Sequence, residues 1–117
     1  MDMEIECAVV RQPDQAFQRV LLAQMVVAEM MGVALIALCR NTRGDARAAF
    51  ARQTAMYLCH AVFAMRVGAV AKAFRRDRST VRHAIRLIEQ NREADPEFDR
   101  SFAWLELSLC RAGALDV

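Results

Sequence analysis

Apolar residues recur along this chain at intervals of three and four, and no alternation of apolar and polar positions survives beyond a few residues. The pattern predicts helices throughout and no sheet. Pro13 opens a first helix running to about residue 31, with Phe17, Val20, Leu21, Met25 and Ala28 as its inward stripe, and Gly32 closes it. A short helix over 33–39 follows, then a polar, basic loop over 40–45. A third helix over 46–63 buries Phe50, Thr54, Tyr57, Leu58 and Ala61. A fourth over 67–74 turns through Arg75 and Arg76 into a fifth, whose Val81, Ala84, Ile85 and Ile88 fall at i, i+3, i+4 and i+7 and so share one buried face. Pro96 starts a last helix with Phe98, Phe102, Leu105 and Leu109 on one side. The expected fold is all-α: one compact helical domain over 13–112, with tails at 1–12 and 113–117. Two helices joined by a tight turn, the second basic, form a helix-turn-helix at about 67–92.

The fifth helix has a second stripe that folding does not ask for. Arg78, Arg82 and Arg86 stand at i, i+4 and i+8, with Ser79 and His83 beside them near the N-terminal end. Like charges at that spacing repel by a few tenths of a kcal/mol per pair, a cost that makes sense against a polyanion. A solvated arginine-rich surface is the plain alternative. The net charge of +2 hides a segregation of the same sense. Residues 40–86 carry eleven basic side chains against two acidic ones, net +9, and the rest of the chain five against twelve, net −7. One part attracts phosphates and the other repels them.

At 117 residues and 56% hydrophobic content the chain can bury a core without disulfides or metals. Cys7, Cys39, Cys59 and Cys110 are too scattered for a zinc site and read as reduced, buried, small hydrophobes of a cytosolic protein. Asp2, Glu4 and Glu6 stand where a signal peptide would be basic, so export is not expected. Residues 20–39 are apolar enough to suggest a membrane span, but Glu29 lies at the centre, at a cost of roughly 2.5–3.5 kcal/mol. A buried helix pair broken at Gly32 fits better. No glycine-rich phosphate loop is present. Cys59 and His60, adjacent on a helix, point about 100° apart and cannot form a nucleophile–base pair. No enzyme activity, cofactor or metal is expected.

Landmarks in a fixed order extend this picture. They are Val27-Ala28-Glu29, Ala51-Arg52-Gln53-x-Ala55-Met56-Tyr57-Leu58, Ala69-Val70-Ala71-Lys72-Ala73-Phe74 and, above all, Arg76-Asp77-Arg78-Ser79-Thr80-Val81-Arg82-His83-Ala84. Together they resemble the C-terminal DNA-binding domain of DnaA, the bacterial chromosomal replication initiator, over about residues 17 to 107. The last run is similar to the family signature Arg-Asp-His-Ser-Thr-Val-x-His-Ala.

The resemblance implies a recognition helix in the major groove of double-stranded DNA, with base contacts from Asp77, Arg78, Ser79, Thr80 and His83. It also implies phosphate or minor-groove contacts from Arg43, Arg47, Arg52, Arg75, Arg76 and Arg82. The chemistry of each residue type suits such a contact, since a carboxylate accepts from base amino groups, hydroxyls serve either role, and a threonine methyl meets thymine. Asp77 read alone is equally a helix cap, Thr80 a backbone-bonding hydroxyl and His83 a surface polar residue. Three departures stand out. Arg78 replaces the family's histidine, and arginine prefers guanine O6 and N7. One residue is missing from the turn between Phe74 and Arg76. His60 replaces a lysine.

Two functions follow from the resemblance. One is a cytoplasmic, nucleoid-associated regulator that binds initiator-type sites on duplex DNA and tunes replication initiation or transcription. The other is a protein-interaction module acting on the replication initiator or its regulators without specific DNA binding. An apolar surplus with seven methionines, and surface candidates such as Trp104 and Met30, suit the second.

Overall fold

The computed structural model describes residues 2–39 and 45–115, with side chains for residues 15–39 and 45–113. Six helices follow one another: α1 (Asp2–Met31), α2 (Leu35–Cys39), α3 (Ala46–Ala61), α4 (Val67–Phe74), α5 (Arg78–Ala94) and α6 (Pro96–Leu115). Among the described residues there is no strand, and no helix is long and apolar enough to cross a membrane. The all-α expectation holds.

α3 is the axle. Ala48, Ala51, Arg52, Thr54, Ala55, Met56, Tyr57, Leu58 and Cys59 are all buried, because α1, α2, α4 and α5 contact it from several sides. A helix surrounded in this way needs apolar or small residues around most of its circumference rather than along one stripe. The hydroxyl of the fully buried Thr54 donates to the Phe50 carbonyl of the preceding turn at 2.9 Å, so its burial leaves no polar group unsatisfied. α6 closes the far side. Phe98 stacks on Phe102 with ring centroids 4.7 Å apart, and Phe102 meets Tyr57 edge-on at 5.8 Å, an arrangement that aromatic quadrupoles favour. Phe102, Leu105 and Leu109 are buried and Phe98 half-buried, as the spacing predicts.

Helix ends follow local chemistry. Gly32, at φ 67°, terminates α1, and the Val33 amide reaches back to the Ala28 carbonyl, the bond that closes a left-handed helix end. The Asp45 carboxylate accepts from the Arg47 and Ala48 amides at the start of α3. Asp95 does the same for Glu97 and Phe98 ahead of α6. Each satisfies first-turn donors that the helix itself leaves open.

The structure corrects several expectations. α1 begins at Asp2 and not at Pro13, which lies within the helix; a proline removes a single amide donor and costs locally, so it need not set a boundary. The inward stripe of α1 is Val20, Ala23 and Val27, while Phe17 is 68% and Met25 49% exposed. Between residues 20 and 31 α1 is apolar on most sides, so periodicity alone cannot choose the face. The small Ala23, together with Ala51 and Ala55 on α3, all fully buried, favours the rotation that brings the two neighbouring helices close. α2 starts at Leu35 and not at residue 33, and α3 ends at Ala61, which is exposed rather than buried. Only Cys59 is a buried cysteine among those described, since Cys39 and Cys110 are exposed. The side chain of Cys7 and the loop residue Arg43 lie outside the described residues.

Candidate nucleic-acid interface

The helix-turn-helix is built from two short apolar seams. α4 buries Val70 and Ala71, and α5 buries Val81, Ala84, Ile85 and Ile88, the four positions its spacing predicted. The turn between them is three residues long. Arg75 takes the left-handed conformation at φ 57°, ψ 47°. Its amide bonds to the Ala71 and Lys72 carbonyls, and the Arg76 amide to the Ala71 carbonyl at 2.9 Å, which ties off α4 in the same way as α1. A left-handed arginine costs about 1–2 kcal/mol that a glycine would not. The turn tolerates it because the flanking helices fix the chain on both sides.

Asp77 is the N-cap residue of α5 by backbone, and its carbonyl accepts from the Thr80 and Val81 amides. Its carboxylate makes no capping hydrogen bond, in contrast to Asp45 and Asp95. The cap reading of Asp77 therefore falls, and the carboxylate is left exposed at the helix tip. Beside it stand Arg78, Ser79, Thr80, Arg82 and His83, all exposed, followed by exposed Arg86 one turn on. Arginines at i, i+4 and i+8 climb the helix in steps of about 6 Å. Among the described residues no ion pair engages any of the three. Arg75 is exposed and Arg76 half-buried at the foot of the same face. The structure thus gathers seven of the expected contact residues, Arg75 to Thr80 together with His83, around one turn and one helix tip, with Arg82 just behind.

Two other expected residues go elsewhere. Arg52 is 8% exposed. Its Nε donates to the Leu38 carbonyl at 3.0 Å and a terminal nitrogen to the Ala37 carbonyl at 3.3 Å, so it holds the end of α2 rather than standing ready for a phosphate. Burial first, and the Arg76 charge second, pull its pKa below the ordinary arginine value. Arg47 is exposed at the start of α3 but donates to the Met31 carbonyl at the end of α1. Arg43 lies outside the described residues.

Sequence reasoning also passed over one position. The Arg78 guanidinium lies across Gly68 in the first turn of α4, so that a Cβ there would meet it at 3.0 Å. The only trace in the sequence is a glycine near the start of a short helix. The nearest candidate for nucleophilic chemistry, Cys59, is fully buried, and burial pushes its thiol up to about 12, which keeps it protonated and unreactive. His60 meets the Met65 carbonyl through Nδ1 at 2.9 Å, a contact that braces the loop after α3.

The comparisons with known proteins agree with this geometry. The family described as the bacterial DnaA protein helix-turn-helix matches residues 22–88, which takes in the whole basic tip. The chain is 41% identical over 67 residues to the chromosomal replication initiator protein DnaA of Aquifex aeolicus (strain VF5), spanning 56% of this chain and 17% of that protein. Among solved structures, a DNA replication initiation factor superposes with a TM-score of 0.79 at 28% identity, over 89% of this chain and 32% of that one. Replication initiator DnaA bound to AMPPCP and single-stranded DNA gives 0.74 at 27% identity, over 89% and 31%. AMPPCP-bound DnaA from Aquifex aeolicus gives 0.73 at 26%, over 87% and 30%. The chain spans about a sixth of the curated relative and about a third of the solved ones. Sequence signature, helix-turn-helix geometry and matched residues coincide, and the chain belongs to the bacterial DnaA helix-turn-helix family.

Proposed function

We propose that the chain is a sequence-selective double-stranded DNA-binding protein acting at initiator-type sites, where it regulates replication initiation or transcription in the cytoplasm, on the nucleoid. One observation carries the reading: the tip and outer face of α5 present Asp77, Arg78, Ser79, Thr80, Arg82, His83 and Arg86 to solvent. Behind them a fully apolar seam of Val81, Ala84, Ile85 and Ile88 holds the helix rigid. The major groove is about 12 Å wide and admits one helix. In it, Asp77, Arg78, Ser79, Thr80 and His83 meet base edges, while Arg75, Arg76 and Arg82 hold phosphates and set the register. Arg47, whose side chain stays exposed although it donates to the Met31 carbonyl, is assigned with Arg43 to the neighbouring backbone or minor groove on the strength of the resemblance alone. Arg52 drops out of the contact set, since its guanidinium is engaged inside.

The test is fluorescence anisotropy on a duplex carrying the family's box against a scrambled duplex, over a salt series. Tighter binding to the box is expected, with affinity falling by roughly 10³–10⁵ between 50 and 200 mM salt if six or more phosphates are neutralised. Equal affinities remove the sequence-selective part, and no binding removes the reading.

A second reading rests on a different surface. Phe17, Ile36 and Trp104 are 68%, 63% and 57% exposed, and large aromatic and apolar side chains of that kind anchor protein partners. A module contacting the initiator or its regulators through them keeps its effect when Arg78 and Arg82 are replaced by alanine. A DNA binder does not, and a pull-down with that variant decides between the two.

A further inference from the structure

Gly68 has no backbone reason to be glycine. It lies in the first turn of α4, a helix of only eight residues, and among the described glycines only Gly32 has a positive φ. Glycine weakens a helix relative to alanine, so the residue works against the element it sits in. What it provides is space. A Cβ at this position would stand 3.0 Å from an Nη of Arg78, 3.2 Å from its Nε and 3.3 Å from its Cζ, all inside the roughly 3.5–4.0 Å at which such atoms normally rest. With Nη and Nε nearer than Cζ, the guanidinium meets the glycine obliquely, its Nε–Nη edge leading. Arg78 is the first residue of α5, so the open space at Gly68 lets its side chain lie close against the helix before it.

The charge arrangement says what the contact is for. The first turn of α4 is the positive end of a helix dipole, and its N-cap residue is Arg66, which offers no capping side chain. The guanidinium packs there without an acidic partner among the described residues, so its charge is not compensated by an ion pair. A polyanion laid across both helices supplies that compensation. We infer that Gly68 is a positioning residue: its missing side chain forms the seat that fixes Arg78 for contact with duplex DNA, and so it sets the base-pair preference at the position Arg78 meets. The duplex part rests on the function proposed above, and the seat itself does not.

The test combines two measurements on the wild-type chain, Gly68→Ala, Arg78→Ala and the double variant. In the DNA-free protein, NMR relaxation of the Arg78 Nε–Hε group should show an ordered side chain in wild type and a mobile one in Gly68→Ala, with Arg82 mobile in both. Mobility of Arg78 in wild type equal to that of Arg82 overturns the seat. On a labelled duplex carrying the initiator-type box and its single-base-pair variants, Gly68→Ala should lose about threefold or more in affinity and flatten the preference at one position. The double variant should be no weaker than Arg78→Ala alone, because coupled residues are not additive. Additive losses, or Gly68→Ala binding like wild type, overturn the positioning role. Alanine favours the helix, so a weakened variant is not an unfolded one, and a thermal melt confirms it. A wild-type chain that binds no duplex while the NMR contrast persists supports the seat and removes the DNA reading instead.

Discussion

The two ends of α5 carry the same residue type and put it to opposite uses. At the front, Arg78, Arg82 and Arg86 stand exposed with no ion pair among the described residues. At the rear, Arg92 is 17% exposed in its side chain and donates hydrogen bonds to Asp99 at 2.6 Å, Glu106 at 2.8 Å and the Tyr57 hydroxyl at 3.0 Å. Its guanidinium also lies over the Tyr57 and Phe102 rings. Burial alone would lower the Arg92 pKa, but the hydrogen bonds to Glu106, Asp99 and Tyr57 outweigh it and drive the value up. The difference lies in what α6 brings. Its acids face the rear of α5 and leave the front bare, so the segregation of charge in the sequence becomes a division of labour along one helix: a docking end and a clamped end.

Replacing Arg78, Arg82 and Arg86 together by alanine should strike the docking end alone. DNA affinity falls by about 2–4 kcal/mol, and the slope of log K against log salt shrinks by about one through the lost phosphate contact of Arg82. The melting temperature moves little, because exposed substitutions change stability by only about 0.5 kcal/mol. A large loss of stability with affinity intact would invert the comparison. Arg92→Met should do the reverse at the clamped end, costing about 1–2 kcal/mol in urea unfolding, since it leaves Glu106 and the Tyr57 hydroxyl without their donor. The half-exposed Asp99 adds little to that figure. DNA affinity of the folded fraction should not change.

Alkaline titration sharpens the claim that one core supports both ends. The Cys59 thiol is raised from about 9 to about 12 by burial. Its contribution is therefore constant below pH 9. It is lost as pH rises from 9 towards 12, where the unfolded chain ionises and the folded one does not, by about 1.4 kcal/mol per unit. Comparing wild type with Cys59→Ala by denaturant unfolding at pH 8 and pH 10 should show a steeper loss in wild type, and parallel losses would refute it. The smallest effect is expected from Arg75→Gly. Relief of the left-handed backbone should raise stability by about 0.5–1 kcal/mol, while loss of one phosphate contact lowers affinity a few-fold and reduces the salt slope by about one. A gain in both would show that the turn holds arginine for no reason of binding.

The sequence by itself determined the helical class and most of the helix-turn-helix. The spacing of Val81, Ala84, Ile85 and Ile88 and the punctuation at Gly32 and Pro96 are local signals, carried within one or two turns of chain, and local geometry obeyed them. It also separated the basic stretch from its acidic flanks and identified the tip from Asp77 to His83. Only the tertiary structure decided which charges remain available. Arg52 and Arg82 look alike in sequence, yet one ends buried against the α2 carbonyls and the other in solvent, because burial depends on neighbours far away in the chain. The inward face of α1 was settled in the same way, by where small residues let α3 approach. The seat at Gly68 arose from α4 and α5 meeting across the turn. A spacing rule reports what a helix can present, and packing between helices decides what is left to present it.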